Sequence, residues 1–419
     1  MFGWKRLRYI QNKLCDSDIR ETIANVSLII LFPTIFFYQT ALGTRAIEPL
    51  LGSGWAFSVM LLFPCLSALY LFKFINEREN IFLLEYLFCA FLGFTTVVAF
   101  INFILPLPAQ HNYQLLYWNF AGVISNATCF MAFRLANSEK RIFNLSIGVC
   151  AFLIIIIFLN LLNDDFYFSY MRDPYVMSYQ GFARCAFIVF LIVIFSSINH
   201  WLAILLFIVF AFVLLGIQSR TELILFVCAV PAVVFFKNNK HVKAKMLVSA
   251  ACLFCCTAAA YFLFHDVVSD GLSYFDHVRI LNFLRLLGDE SVRLRLVQTE
   301  DALHSISQNL FFGDYGSYLF RTNEAGHYSH NFLSVWVNLG LAGFLLYCCL
   351  CFLVLKFCFF ENTTEYRKHS SLFAGALGLS AVVAHVFSYP YVEVLLACSI
   401  GTISQHKEMS TKYNKNSFD

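Results

Sequence analysis

Residues 331–355 read NFLSVWVNLGLAGFLLYCCLCFLVL. The stretch carries no charge, and at 1.5 Å of rise per residue a helix of that length covers about 37 Å. That is enough for a bilayer hydrocarbon core of roughly 30 Å, which about 20 apolar residues cross. A backbone in lipid has to satisfy its own hydrogen bonds, so the segment reads as a transmembrane helix. Similar apolar segments stand near 22–43, 54–73, 82–105, 114–134, 142–162, 182–198, 201–218, 222–236, 246–264, 371–389 and 391–405. The expected fold is all-α: a polytopic integral membrane protein of about 12 transmembrane helices.

Composition agrees. Of the 419 residues, 59% are hydrophobic and 13% charged, with 49 phenylalanines. A soluble domain has about 25% charged residues. A secreted disulfide scaffold, a nucleic-acid binder and a disordered chain are excluded. The formal charge of +3 calls for no acidic partner. The 15 cysteines fall in apolar runs or on the expected cytoplasmic side, and none lies between His265 and Ser329. They read as small hydrophobes, not as disulfides or metal ligands.

The positive-inside bias sets the orientation. With the N-terminus inside, every lysine falls on the cytoplasmic side. The external cations are then Arg45, Arg172, Arg184, Arg220, Arg279, Arg285, Arg293, Arg295 and Arg321. Both termini are expected in the cytoplasm. The organisation is an N-terminal transmembrane bundle of about nine helices over 1–264, a periplasmic loop over 265–329, transmembrane helices over 330–405 and a polar, frayed cytoplasmic tail over 406–419. The loop is large enough to be functional. Its stretch SVRLRLVQTEDALHSISQ (291–308) has helical apolar spacing at Leu294, Val297, Leu303 and Ile306. Phe312-Gly313-Asp314-Tyr315-Gly316-Ser317 reads as a turn.

Three motifs fall on the external face. Gly216–Glu222 interrupts two spans, and Arg220 there either binds an anion or pairs with Glu222 as an interfacial anchor. Arg293 and Arg295 open the loop helix, as ligands for an anion or as a solvated charged face. His330, at the outer start of the 331–355 span, is a catalytic base or a helix cap. Asn331, Ser334 and Asn338 share one helix face behind it, expected to line a polar groove. Gly340 and Gly343 follow and would admit a neighbouring helix. Within spans the ionisable residues are Glu85, His385 and Glu393, without the internal symmetry of a transporter. No P-loop, dinucleotide motif or HExxH pair occurs, and His327–His330 lacks the companions of a metal site.

The ordered strings QSRTELILF (218–226), RLVQTEDAL (295–303), NLFFGDYGS (309–317) and SHNFLSVWVNLGLAGF (329–344) resemble the O-antigen polymerase and O-antigen ligase superfamily. The likeness covers roughly residues 205–360. Leu310 stands where the family usually has proline, and the His330–Gly340 spacing is one residue shorter than the common ligase pattern, which favours a polymerase. The resemblance implies a metal-independent glycosyltransferase without cofactor. It would transfer an undecaprenyl-pyrophosphate-linked oligosaccharide to a lipid-linked repeat unit at the periplasmic face of the bacterial inner membrane. A ligase using lipid A–core as acceptor is the alternative, and a polysaccharide flippase a more distant one. Implied partners are a chain-length regulator and a flippase of the same pathway, and no nucleic acid. Carried onto this chain, His330 is the base, Arg220 and Arg295 bind the pyrophosphate, and Arg293 assists. Asn331 orients His330 or the acceptor. Tyr179, with Tyr167, Tyr170 and Tyr175, either stacks on sugar rings or is an ordinary interfacial tyrosine.

Overall fold

The computed structural model describes residues 17–43, 54–77, 81–104, 109–136, 179–196, 200–217, 219–237, 290–318, 331–361, 368–387 and 393–416, with a few single positions between them. Every element in those residues is helical. Helix α1 (Ser17–Ile29) passes through a π-helical turn at Ile30–Thr34 into α2 (Ile35–Gly43). Pro33 sits in that turn; with no N–H and a ring that crowds the preceding turn, it breaks the regular ladder. Then follow α3 (Trp55–Asn76), α4 (Leu83–Ile104), α5 (Ala109–Leu135), α6 (Tyr179–Ser196), α7 (His200–Gly216), α8 (Arg220–Lys237), α9 (Glu290–Gln308), α10 (Leu333–Phe360), α11 (Lys368–Phe387) and α12 (Val394–Asn416).

Among the described residues five stretches are long and apolar enough to cross a membrane: Asp18–Leu42, Trp55–Asn76, Leu83–Ile104, Leu333–Phe360 and His369–Val386. Shorter apolar helices occupy Gly181–Ser196, Trp201–Leu214 and Thr221–Phe235. The expected spans near 142–162 (apart from a few helical positions) and 246–264 lie outside the described residues, as do Tyr167, Tyr170 and Tyr175.

Helix α6 lies inside the bundle. From Phe182 through Phe195 its apolar side chains are buried all round, as expected of a helix with neighbours on every side. Phe190 stacks on Phe210 of α7 at 4.2 Å between ring centroids, and Phe36 of α2 stacks on Phe182 at 4.5 Å. The outer helices turn large apolar side chains away from the protein, among them Met60, Phe100, Ile104, Trp201 and Phe352. Such a surface suits lipid and not water.

Side-chain contacts fix the helix directions. Cys358 of α10 donates to the Gly375 carbonyl of α11 at 3.4 Å, while Tyr347, earlier in α10, meets His385, later in α11, so the two run antiparallel. Lys237, ending α8, donates to Ser371 at the start of α11 at 3.1 Å and lies 3.9 Å from the Phe357 ring centroid. Helices α8 and α10 are therefore parallel, and their N-termini share one end of the bundle.

The opposite end is held by ions. Arg134 of α5 donates to Glu85 of α4 at 3.0 Å and to Glu408 of α12 at 2.5 Å. Lys73 of α3 reaches the same Glu408 oxygen at 2.5 Å, and the Tyr70 hydroxyl donates to Glu85 at 2.9 Å. Just outside, Arg20 pairs with Glu77 at 2.7 Å. This corrects the reading of the tail from Lys407 as frayed, as far as Asn416. Helix α12 continues to Asn416, because Glu408 has two buried cations to neutralise.

Candidate functional site

The turn at Phe311–Gly316 is built into a gap in α10. Gly340 has φ 67° and ψ −171°, which breaks the helix. In an unbroken helix the Leu341 N–H would bond to the Val337 carbonyl. Here the Leu341 N–H donates to the Phe311 carbonyl at 3.2 Å, and the Val337 carbonyl accepts from the Asp314 N–H at 2.5 Å. The turn thus takes both ends of the broken bond. Asn338 adds a third tie, accepting from the Gly316 N–H at 3.0 Å, and Asp314 accepts from Ser305 of α9 at 3.0 Å. Trp336 donates to the Leu310 carbonyl at 2.9 Å.

Two expectations change as a result. Gly340 receives this turn and not a neighbouring helix; Gly343 is the position that faces another helix, at Phe94 of α4. The polar face of Ser334 and Asn338 is buried and bonded, so it does not line an open groove.

Helix α9 is held against the first turns of α10 by a face other than the one its apolar spacing suggests. Ile306 is buried as expected, but Leu294, Val297 and Leu303 are exposed. The buried face is Gln298, Ala302, Ser305 and Ile306, packed on Val337, Leu333 and Trp336. Small side chains at 302 and 305 let the helix lie close, and closeness outweighs the larger apolar area available on the other side.

Asn331 ties the two helices together. Its side-chain oxygen accepts from the Leu333 N–H at 3.0 Å, a capping bond for α10, and from the Ser329 hydroxyl at 2.7 Å. Its amide donates to Thr299 of α9 at 3.4 Å, and Thr299 in turn donates to the Arg295 carbonyl at 2.7 Å. Asn331 and the Arg295 turn are therefore brought together. Arg295 is half-buried and Arg293 exposed. His330 lies outside the described residues.

Arg220 is the first residue of α8, and Tyr179 the first of α6. The Arg220 side chain, and with it the anchor reading of Arg220 with Glu222, lies outside the described residues. Glu222 is fully buried, pairs with Arg184 at 3.5 Å and accepts from the Ser219 hydroxyl. Arg184 also holds Glu393, and His385 of α11 bonds to Tyr347 of α10. Sequence reasoning missed this knot. Ser219-Arg220-Thr221-Glu222 has the S-x-x-E spacing of a capping box, which marks a helix start and could have exposed Glu222 as an inward group.

Tyr315 connects the turn to α5. Burial pushes its hydroxyl up to about 12, and a hydrogen bond with Asn119 opposes that rise. Among the described residues no group of His, Cys, Asp and Glu is arranged to hold a metal ion.

The elements define a helical protein with several helices fit to cross a membrane. The chain matches no protein-family model and no curated protein.

Proposed function

We propose that the chain is an integral-membrane glycosyltransferase of the O-antigen polymerase kind, acting on glycans carried by a polyprenyl pyrophosphate. The observation that supports the reading is the link from Asn331 through Thr299 to the Arg295 turn. It holds the arginine-bearing first turns of α9 against the residue next to His330, at the end of the bundle where Arg220 opens α8. A lipid pyrophosphate leaving group asks for fixed cationic donors, and guanidinium suits phosphate oxygens.

In the proposed reaction, a hydroxyl oxygen of the acceptor repeat unit attacks the anomeric carbon of the donor glycan. The bond from that carbon to the pyrophosphate oxygen breaks, and the lipid pyrophosphate leaves with the electron pair. His330 takes the hydroxyl proton. Arg220 and Arg295 offset the charge that develops on the leaving group, Arg293 steers the anion, and Tyr179 faces the glycan. The reading places this end at the periplasmic face of a bacterial inner membrane, with both termini cytoplasmic. The lysine distribution supports that orientation, as does the meeting of the start of α1 and the end of α12 through Arg20, Glu77, Lys73 and Glu408 at the other end.

The test is the lipopolysaccharide gel of cells carrying Arg220→Ala, Arg295→Ala or His330→Ala. A polymerase variant leaves core capped with one repeat unit. Bare core with glycan retained on the lipid carrier would identify a ligase instead. A full ladder from all three well-expressed variants would remove the site assignment.

A further inference from the structure

The apolar side of α9 is turned away from the protein. Leu296 and Leu303 are 60% and 53% exposed, and they begin a line that continues through Leu310 to Phe311 and Phe312, the last 92% exposed. The leucines are seven residues apart, nearly two helical turns, so they follow one another along a single edge. Arg293, Glu300 and His304 occupy a neighbouring strip, also exposed.

The depth of this edge follows from its ties to α10. Thr299 is level with Asn331, Ile306 packs on Val337, and the Phe311–Gly313 backbone fills the break at Gly340. Helix α9 thus descends alongside the start of α10. Gly340 is seven residues into α10, about 10 Å below its first residue. Asn331, Ser334 and Asn338 precede that level, and Leu341 through Leu355 follow it without a charge. Phe311 and Phe312 therefore stand where the headgroup zone gives way to hydrocarbon, the level at which aromatic residues gather. Their exposed edge is at the depth where α10 begins the apolar surface that it continues at Leu345 and Phe352.

We propose that α9 and its turn form an interfacial anchor, with Phe311 and Phe312 in contact with phospholipid acyl chains of the leaflet on the Arg220 side. The inference rests on the chain spanning a membrane and not on glycosyl transfer. The anchor also holds Arg293 and Arg295, near the upper end of the same helix, at the level of lipid phosphates.

The experiment replaces single residues of the full chain with a photoreactive phenylalanine, in otherwise native membranes. Phe312→p-benzoylphenylalanine keeps the aromatic shape at an exposed position, and Glu300→p-benzoylphenylalanine is the control on the polar strip. The expected result after illumination is a phospholipid adduct at 312, found by mass spectrometry, and none at 300. A peptide adduct at 312 would mean that protein covers the tip, and an isoprenoid adduct that a lipid carrier occupies it. Either result overturns the proposal, as does equal phospholipid labelling at both positions or none at 312.

Discussion

Gly313 and Gly340 meet backbone to backbone. A Cβ on Gly313 would stand 2.6 Å from the Gly340 nitrogen, and one on Gly340 would stand 2.2 Å from the Phe311 oxygen. Both glycines have positive φ, 74° and 67°, so each is constrained by conformation and by space.

Gly340→Ala is accordingly expected to expel the turn from the break in α10. A left-handed non-glycine residue alone costs about 1–3 kcal/mol, and the contact with backbone oxygen adds to it. Thermal unfolding in detergent should show the loss, and limited proteolysis should cut between residues 308 and 317 faster. Gly93→Ala is the comparison, since a Cβ there meets nothing within 4 Å; equal behaviour of the two variants would contradict the interlock.

Asn331→Ala removes the capping bond to Leu333 and the tie to Thr299, while Asn331→Asp keeps the capping oxygen. The alanine variant is expected to lose about 1 kcal/mol of stability. If the proposed reaction is correct, polymer yield falls in both, because neither side chain offers the amide that Thr299 accepts. A full ladder from Asn331→Asp would separate the cap from the positioning role.

On the proposed reaction, Arg295→Ala is expected to reduce transfer by about 100-fold or more, the scale for removing one donor to a developing negative charge. Arg293→Ala, which removes an exposed side chain, should have a smaller effect. Rates from purified enzyme with a lipid-linked donor decide the order.

Glu77 gives a pH prediction. Burial acts to raise its carboxyl, but the hydrogen bond from Arg20 and the charges of Lys73 and Arg20 outweigh burial and the nearby Glu408, and hold it below its ordinary value of 4.5. A carboxyl lowered on folding contributes its stability above the ordinary value and loses it as pH falls through the lowered one. Acidification below about pH 4.5 should therefore destabilise the native chain more steeply than Glu77→Gln. Parallel pH profiles of the two would show that the Arg20 pairing contributes nothing.

Glu408→Ala leaves Arg134 and Lys73 with an uncompensated buried charge. Breaking a buried pair in this way costs about 3–5 kcal/mol. Expression level and melting temperature are the measurements; a variant as stable as the native chain would show that the cluster has another source of compensation.

Much of the helix pattern was legible because lipid imposes it: runs such as 331–355 have few other readings. The turn at 312–317 was also legible from its glycines. What the sequence concealed were relations set by close approach. Leu294, Val297 and Leu303 have the spacing of a buried face, yet Ala302 and Ser305 win that face because small side chains let two backbones near each other. Glu222 stands two residues from Arg220, but burial directs it to Arg184, which is distant in the chain. Glu408 lies in a polar stretch that looks like a tail, and only the cations on α3 and α5 explain why it is inside. The placement of His330 lies beyond the described residues.

Lys73 and Glu408 are separated by 335 positions in the chain. During synthesis α3 and α5 emerge long before α12, so Arg134 and Lys73 are made before the Glu408 carboxylate that they share. Gly401 then closes against the Phe130 carbonyl, where a Cβ would stand only 2.5 Å away. The tie between α3 and α5 thus depends on α12, and a nascent chain halted before residue 408 is expected to lack the Glu408 bridge between its early helices.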